Sequence, residues 1–108
     1  MAYYDLKRSG TQFMFNLRGE NHETVLTSER YVSKQGAEGG IASVRVNSPI
    51  DARYNRLTAS NGLPYFTLKG ANGEVIGTSE TYSSTTARDT GIDWVKRNGP
   101  GAITKDNT

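Results

Sequence analysis

The residues able to do chemistry occur in pairs. Ser28, Glu29 and Tyr31 stand in one half of the chain, and Ser79, Glu80 and Tyr82 stand in the other with the same spacing. A serine, a carboxylate and a phenol suggest a nucleophile, a base and a proton donor. Their spacing argues against catalysis. Adjacent residues of a strand point to opposite faces, so each serine is turned away from its own glutamate. No base tuned to a nucleophile and no oxyanion motif accompanies them. The same residues suit a strand-to-helix corner, where Ser and Glu satisfy free amides and Tyr packs its ring. We read them as structural.

The other reactive types are sparser. His22 is the only histidine and lies in a turn, without the clustered acids of a metal site. Asp51, Asp89, Asp93 and Asp106 have no ligand spacing. With no cysteine, thiolate ligands, thiol nucleophiles and disulfides are excluded. Gly70-x-x-Gly73 and Gly99-x-Gly101 read as turns, because neither is followed by the Lys-Ser/Thr of a phosphate loop. No catalytic residue, cofactor site or metal site is expected.

One surface remains as a binding candidate. Tyr3, Lys7, Arg18, Tyr54, Arg56, Tyr65 and Lys69 fall on outward strand registers. Aromatics interleaved with bases on an open sheet can stack nucleobases and hold phosphates. Strand propensity alone also favours tyrosine and threonine on such a face. On that face, only Arg18 with Lys69 is a basic pair present in both halves. A net charge of +2 permits an anionic partner without demanding one. Lys34, Arg45, Arg88, Lys96 and Arg97 are expected as solvated helix flanks.

The elements behind these residues are also written twice. A shift of 51 pairs Leu6 with Leu57, Phe15 with Phe66, Leu17 with Leu68, Gly19 with Gly70 and Asn21 with Asn72. It continues through Ser28-Glu29 with Ser79-Glu80, Tyr31 with Tyr82, Gly40-Ile41 with Gly91-Ile92, Val44 with Val95 and Pro49 with Pro100. So many matches in one register mark an internal repeat. Period-two alternation predicts strands over 3–8 and 13–18, with Tyr4, Leu6, Phe13, Phe15 and Leu17 inward. A third strand over 23–29 turns Val25 and Thr27 inward. Asn21 suits a positive φ in the turn before it. Ser33 caps a helix carrying Ala37, Gly40, Ile41 and Val44 on one face, which Pro49 ends. The second copy repeats strands over 64–69 and 74–80, and a helix capped by Ser84 and ended by Asn98-Gly99-Pro100. Gly40 and Gly91 inside helices imply a close approach, expected between helix backbone and sheet. Residues 53–59 can close the first repeat and open the second, and 102–106 form a last short strand.

The pattern Asn72-Gly73-Glu74, Ile76, Ser79-Glu80, Tyr82 and Ser84, followed by Gly91-Ile92, Val95 and Asn98, resembles the YegP-like family of small bacterial proteins. The first copy departs at His22 and Thr24. The resemblance covers nearly the whole chain. It implies three strands, a helix and a strand per repeat, assembled in a single sheet with exchanged C-terminal strands. It also implies that a fused tandem stands in for a dimer of single copies, hence a monomer. The family it points to has no established biochemical activity.

The expected fold is therefore α+β: tandem β-β-β-α-β repeats in one antiparallel sheet, both helices on one face, closing strands exchanged. At 108 residues we expect a single compact domain, 1–52 forming the first repeat and 53–108 the second. Units of this size bury too little surface to stand alone. No stretch is long and apolar enough for a membrane span, so a soluble cytoplasmic protein is expected. In function we expect a small non-enzymatic interaction or accessory module, with weak single-stranded nucleic-acid binding as the alternative.

Overall fold

Alternation along the chain becomes alternation across a sheet. The computed structural model describes residues 1–108. Strands β1 (Tyr3–Ser9), β2 (Gln12–Arg18) and β3 (Thr24–Ser28) lead into helix α1 (Lys34–Asn47). Strands β4 (Tyr54–Thr58), β5 (Pro64–Lys69) and β6 (Val75–Ser79) lead into helix α2 (Thr85–Asn98), and β7 (Ile103–Asn107) follows. Single 3-10 turns lie at Glu20–His22 and Asp51–Arg53. The first of them holds Asn21 and His22 at φ near +60°; the second repeat places Gly73 there instead.

Both helices start where serine side chains supply the missing acceptor. Ser33 Oγ accepts from Gly36 N and Ser84 Oγ from Ala87 N, each at 3.0 Å. Gly99 ends α2 in a right-handed conformation (φ −57°), so its value is not torsional freedom. A Cβ there would lie 2.5 Å from Ser48 Oγ, which marks close contact with the end of α1.

The strands form one seven-stranded sheet in the order β4-β5-β6-β3-β2-β1-β7. The two repeats meet at β3 and β6, antiparallel, where Thr27 faces its own repeat partner Thr78. A pseudo-twofold axis therefore passes between these two threonines. Symmetry breaks beside it. Leu26 is fully buried, and its counterpart Gly77 would place a Cβ only 2.8 Å from Leu26 Cγ. One leucine fills space that two could not share. Thr27 accordingly faces away from the helices and accepts from Asn16 Nδ2 at 3.0 Å, whereas Leu26 and Ser28 point inward. The expectation of an inward Thr27 fails because a bulge at Leu17/Arg18 resets the alternation of β3.

A second reset lies in the hairpin that opens the second repeat. Leu6 pairs with Phe15, but Phe66, the counterpart of Phe15, pairs with Arg56 rather than Leu57. The ladder pairs Arg8↔Phe13 and Thr58↔Pro64 enclose four and five residues, respectively. The extra residue moves β4 by one position, and a one-residue slip turns every side chain to the other face. Tyr54 thus matches Tyr4, not Tyr3. Both tyrosines are buried, and their hydroxyls donate to equivalent carbonyls: Tyr4 to Gly99 O and Tyr54 to Ser48 O, each at 2.6 Å. The gapless 51-residue alignment is corrected here, along with the outward placement of Tyr54 and Arg56.

The helices share one face of the sheet. A single cluster joins Tyr4, Leu6, Phe15, Leu17 and Leu26 to Tyr54, Phe66, Leu68 and Ile76, under Ala37, Ile41, Val44, Ile92 and Val95. The closing strand of the second repeat does cross to the first, where β7 lies on β1, but parallel to it. Every other pairing is antiparallel. The reverse exchange does not occur. Residues 54–58 are used as the opening strand of the second repeat, and β4 has β5 as its only neighbour.

Candidate functional site

The duplicated Ser-Glu-x-Tyr motif forms two nearly identical corners. Ser28 Oγ accepts from Phe15 N at 2.9 Å and donates to Glu29 O at 2.7 Å. Ser79 Oγ does the same with Phe66 N and Glu80 O, at the same distances. Each hydroxyl replaces a carbonyl in the ladder and has its proton committed to backbone. Tyr31 and Tyr82 stack on Phe15 and Phe66 at centroid distances of 6.4 and 6.2 Å. Their hydroxyls lie over the two helix glycines. A Cβ on Gly40 or Gly91 would fall 2.3 Å from the Tyr31 or Tyr82 oxygen. The close approach expected from these glycines is thus made by a tyrosine, not by helix backbone against sheet. Burial raises both phenol pKa values, with Glu29 adding to it at Tyr31 and Glu80 and Glu23 at Tyr82.

Each corner tyrosine helps line a cleft at the junction of the repeats. The larger, about 590 Å³, lies between the β2–β3 hairpin of the first repeat and α2 of the second. Val25, Tyr82, Ala87 and Trp94 form its apolar walls, and Glu20 and Glu23 its charged rim. The smaller, about 490 Å³, is its pseudo-twofold mate, with Ile76, Tyr31, Glu74 and Glu29 in its lining. Ser43 takes the place of Trp94 there. The indole packs so closely on the hairpin that a Cβ on Gly19 would lie 2.9 Å from its Cζ2.

The residues expected on the open sheet face are partly dispersed. Tyr3 is only 8% exposed. Its hydroxyl shares a 2.6 Å hydrogen bond with His22 Nδ1, and Lys105 Nζ sits 4.2 Å from its ring centroid. Arg18 donates to Asp5, Thr24, Asn16 and the His22 carbonyl, so its guanidinium is spent within the protein. Tyr54 is in the core. Arg56, on the helix side of β4, pairs with Asp51 and Asp89. Tyr65 faces Leu57 and Lys69 faces Val75 across their ladders, far from Tyr3 in strand order. Lys7 pairs with Met14. The middle of this face is a transverse row of small polar residues: Asp5, Asn16, Thr27, Thr78, Thr67 and Asn55. Among the expected helix flanks, Arg45 instead donates to Ala102 O and Thr104 Oγ1, fastening β7 in place. Lys96, its counterpart, reaches Asp51 at 2.7 Å.

What sequence reasoning missed is the sheet edge at β4. Phe66 N donates to Ser79 Oγ and Pro64 O accepts from Tyr82 N, so both residues turn their backbone groups toward β6. Their partners across the β4–β5 ladder, Arg56 and Thr58, must turn theirs the other way. No strand lies there. At the equivalent place on the first repeat, the outward groups of Leu6 meet β7, where Leu6 pairs with Asp106. The signal for this difference was present in residues 53–59: a single stretch cannot both close one repeat and open the next.

No group of three or more His, Cys, Asp or Glu side chains is placed to hold a metal ion, and no helix is long and apolar enough to cross a membrane. Comparison with known proteins agrees with the duplicated architecture. Residues 9–55 and 59–106 each match the family described as a domain of unknown function, DUF1508. A UPF0339 protein of Bordetella pertussis is 62% identical over 107 residues, covering 99% of this chain and 96% of that protein. The UPF0339 protein YegP of Escherichia coli K12 is 55% identical over 102 residues, covering 94% and 93%. The solution NMR structure of a UPF0339 protein from Shewanella oneidensis superposes with a TM-score of 0.90 at 52% identity, covering 97% of this chain and 90% of that one. That of the E. coli protein of unknown function yegP gives 0.91 at 53% identity, covering 99% and 93%. With two tandem matches and relatives this similar end to end, the chain belongs to the DUF1508 family, the UPF0339 proteins that include YegP.

Proposed function

We propose that this chain is a non-enzymatic, monomeric, cytoplasmic interaction module that receives an extended segment of a partner protein as an eighth strand along β4. One observation carries this reading: the sheet is pseudo-symmetric except that β1 is covered by β7 and the equivalent edge of β4 is bare. Strand addition to a free edge takes its affinity from main-chain hydrogen bonds. Edges without such a role are kept short or charged to prevent aggregation, and β4 has five residues with a single charge, Arg56. The commitment of both corner serines to backbone supports the non-enzymatic part.

The resident strand β7 shows what kind of segment fits. In place on β1 it lays Lys105 opposite Asp5 and Asp106 opposite Leu6. On β4 those positions are Asn55 and Arg56, so an acidic residue in the place of Asp106 would face a guanidinium. A synthetic peptide of residues 101–108 carries that acid and serves as the probe. Titrated into the intact protein, it is expected to shift backbone NMR resonances of β4 saturably. Arg56→Pro and Thr58→Pro each remove an outward amide donor without touching the β5 ladder, and both are expected to abolish the shifts. Shifts confined to β1, or none at the solubility limit of the peptide, would overturn the reading.

A further inference from the structure

We propose that the Trp94 cleft is a binding site for a small organic cation, an alkylammonium or guanidinium group with a short apolar body. This goes beyond the strand-docking role and does not depend on it. The chain has 13 basic residues against 11 acidic ones, yet neither inter-repeat cleft is lined by a lysine or an arginine. Every charged group in the lining of the larger cleft is a carboxylate, Glu20 or Glu23. Its walls are apolar and aromatic, and they include Trp94 and Tyr82. Tryptophan and tyrosine attract cations through the ring quadrupole, most strongly where water is partly excluded. Aromatic rings with carboxylates at the rim therefore favour a cation that carries hydrocarbon. They disfavour phosphates, nucleotides and other anions.

Two further observations bear on the ligand. Glu20 is already paired at the exposed rim with the α-ammonium of Met1, which leaves Glu23 as the unpaired carboxylate of the lining. Glu23 stands in the same lining as Tyr82, whose pKa is raised by burial first, then by Glu80 and by Glu23. The pseudo-twofold mate has acids but Ser43 in place of the indole. It is the built-in comparison and is expected to bind such cations far more weakly.

Trp94 is the only tryptophan, so its fluorescence reports on this cleft alone. The full chain would be titrated with tetramethylammonium, spermidine, and the acetylated amides of lysine and arginine. The neutral control is 3,3-dimethylbutanol. A saturable change with the cations, absent with the alcohol and weakened by added salt, is the expected result. The response of small free amines against that of the amino-acid amides tells whether the natural cation is a metabolite or a side chain of another protein. Glu23→Gln should weaken binding by about threefold, the scale of an exposed charge pair. Trp94→Leu, followed by NMR, should abolish the shifts around Val25 and Ala87. An equal response to the neutral alcohol, no response to any cation, or a cation response unchanged in both variants would each overturn the assignment.

Discussion

Replacing Gly91 by alanine should destabilise the protein only while Tyr82 is present. The new Cβ would lie 2.3 Å from the Tyr82 hydroxyl oxygen and 2.7 Å from Cζ, distances that no rotation of a methyl group relieves. The ring must therefore shift against Phe66, which lies nearly parallel to it at 16°. Overpacking of this kind costs about 1–3 kcal/mol. Alanine in a helix interior returns about 1 kcal/mol relative to glycine. The net loss is then roughly 0–2 kcal/mol in the native background. In a Tyr82→Ala background the clash is gone and only the helical gain remains, so the same substitution should stabilise by about 1 kcal/mol. Urea unfolding of the four proteins, followed by circular dichroism, measures all corners of this cycle. A reversal of sign is expected, with a coupling of about 1–3 kcal/mol. Equal effects in the two backgrounds would show that the tyrosine is not why position 91 is glycine. Gly40 and Tyr31 offer an independent repeat, with a larger loss expected because Phe15 Cε2 also lies 3.0 Å from the added carbon.

Other consequences are simpler to check. Ser79→Ala strips the acceptor from the buried Phe66 amide and should cost about 1–3 kcal/mol in urea unfolding. Burial pushes the Asp5 carboxyl up, but hydrogen bonds from Asn107 and Arg18, with the charges of Lys7 and Arg18, outweigh it and hold the pKa below its usual value. A lowered folded-state pKa gives stability that is complete above the unfolded value and is lost as pH falls toward the folded one. Acid titration of stability should therefore be shallower in Asp5→Asn below about pH 4. With Arg18 occupied and Tyr54 buried, short single-stranded DNA and RNA should show no saturable binding in a fluorescence anisotropy titration at low salt. Residues 1–52, expressed alone and kept dilute, should show no cooperative thermal unfolding, because half of the shared core would be missing.

Much of this architecture is legible in the residues. The repeat, the serine caps, the three-strand-plus-helix order and the inward set Phe15, Leu17, Phe66 and Leu68 all follow from periodicity and local chemistry. Local pattern misleads where one extra backbone residue decides the outcome. Tyr54 aligns with Tyr3 at a shift of 51 and with Tyr4 at a shift of 50. Both alignments match tyrosine to tyrosine, and Leu57 happens to match Leu6 in the wrong one. Only the ladder shows that the longer hairpin has slipped the strand. The bulge that turns Thr27 outward is likewise a backbone event with no marker residue. The parallel course of β7 is a long-range pairing with β1, which no local pattern records. At the clefts, the Ser-Glu-x-Tyr spacing marks Tyr31 and Tyr82 as corner residues. That each lines a cleft with the hairpin of the other repeat follows only from the pseudo-twofold assembly.

The bare edge of β4 is open to one direct measurement, residue-resolved amide exchange at Leu6 and Arg56. These positions are structural equivalents with outward amides, one beneath β7 and one beneath nothing. In the free protein the Leu6 amide should be strongly protected and the Arg56 amide should exchange quickly. Addition of the 101–108 peptide should slow Arg56 and leave Leu6 unchanged. Arg56 protected as well as Leu6 in dilute free protein, or indifferent to the peptide, would mean that β4 is not an acceptor edge.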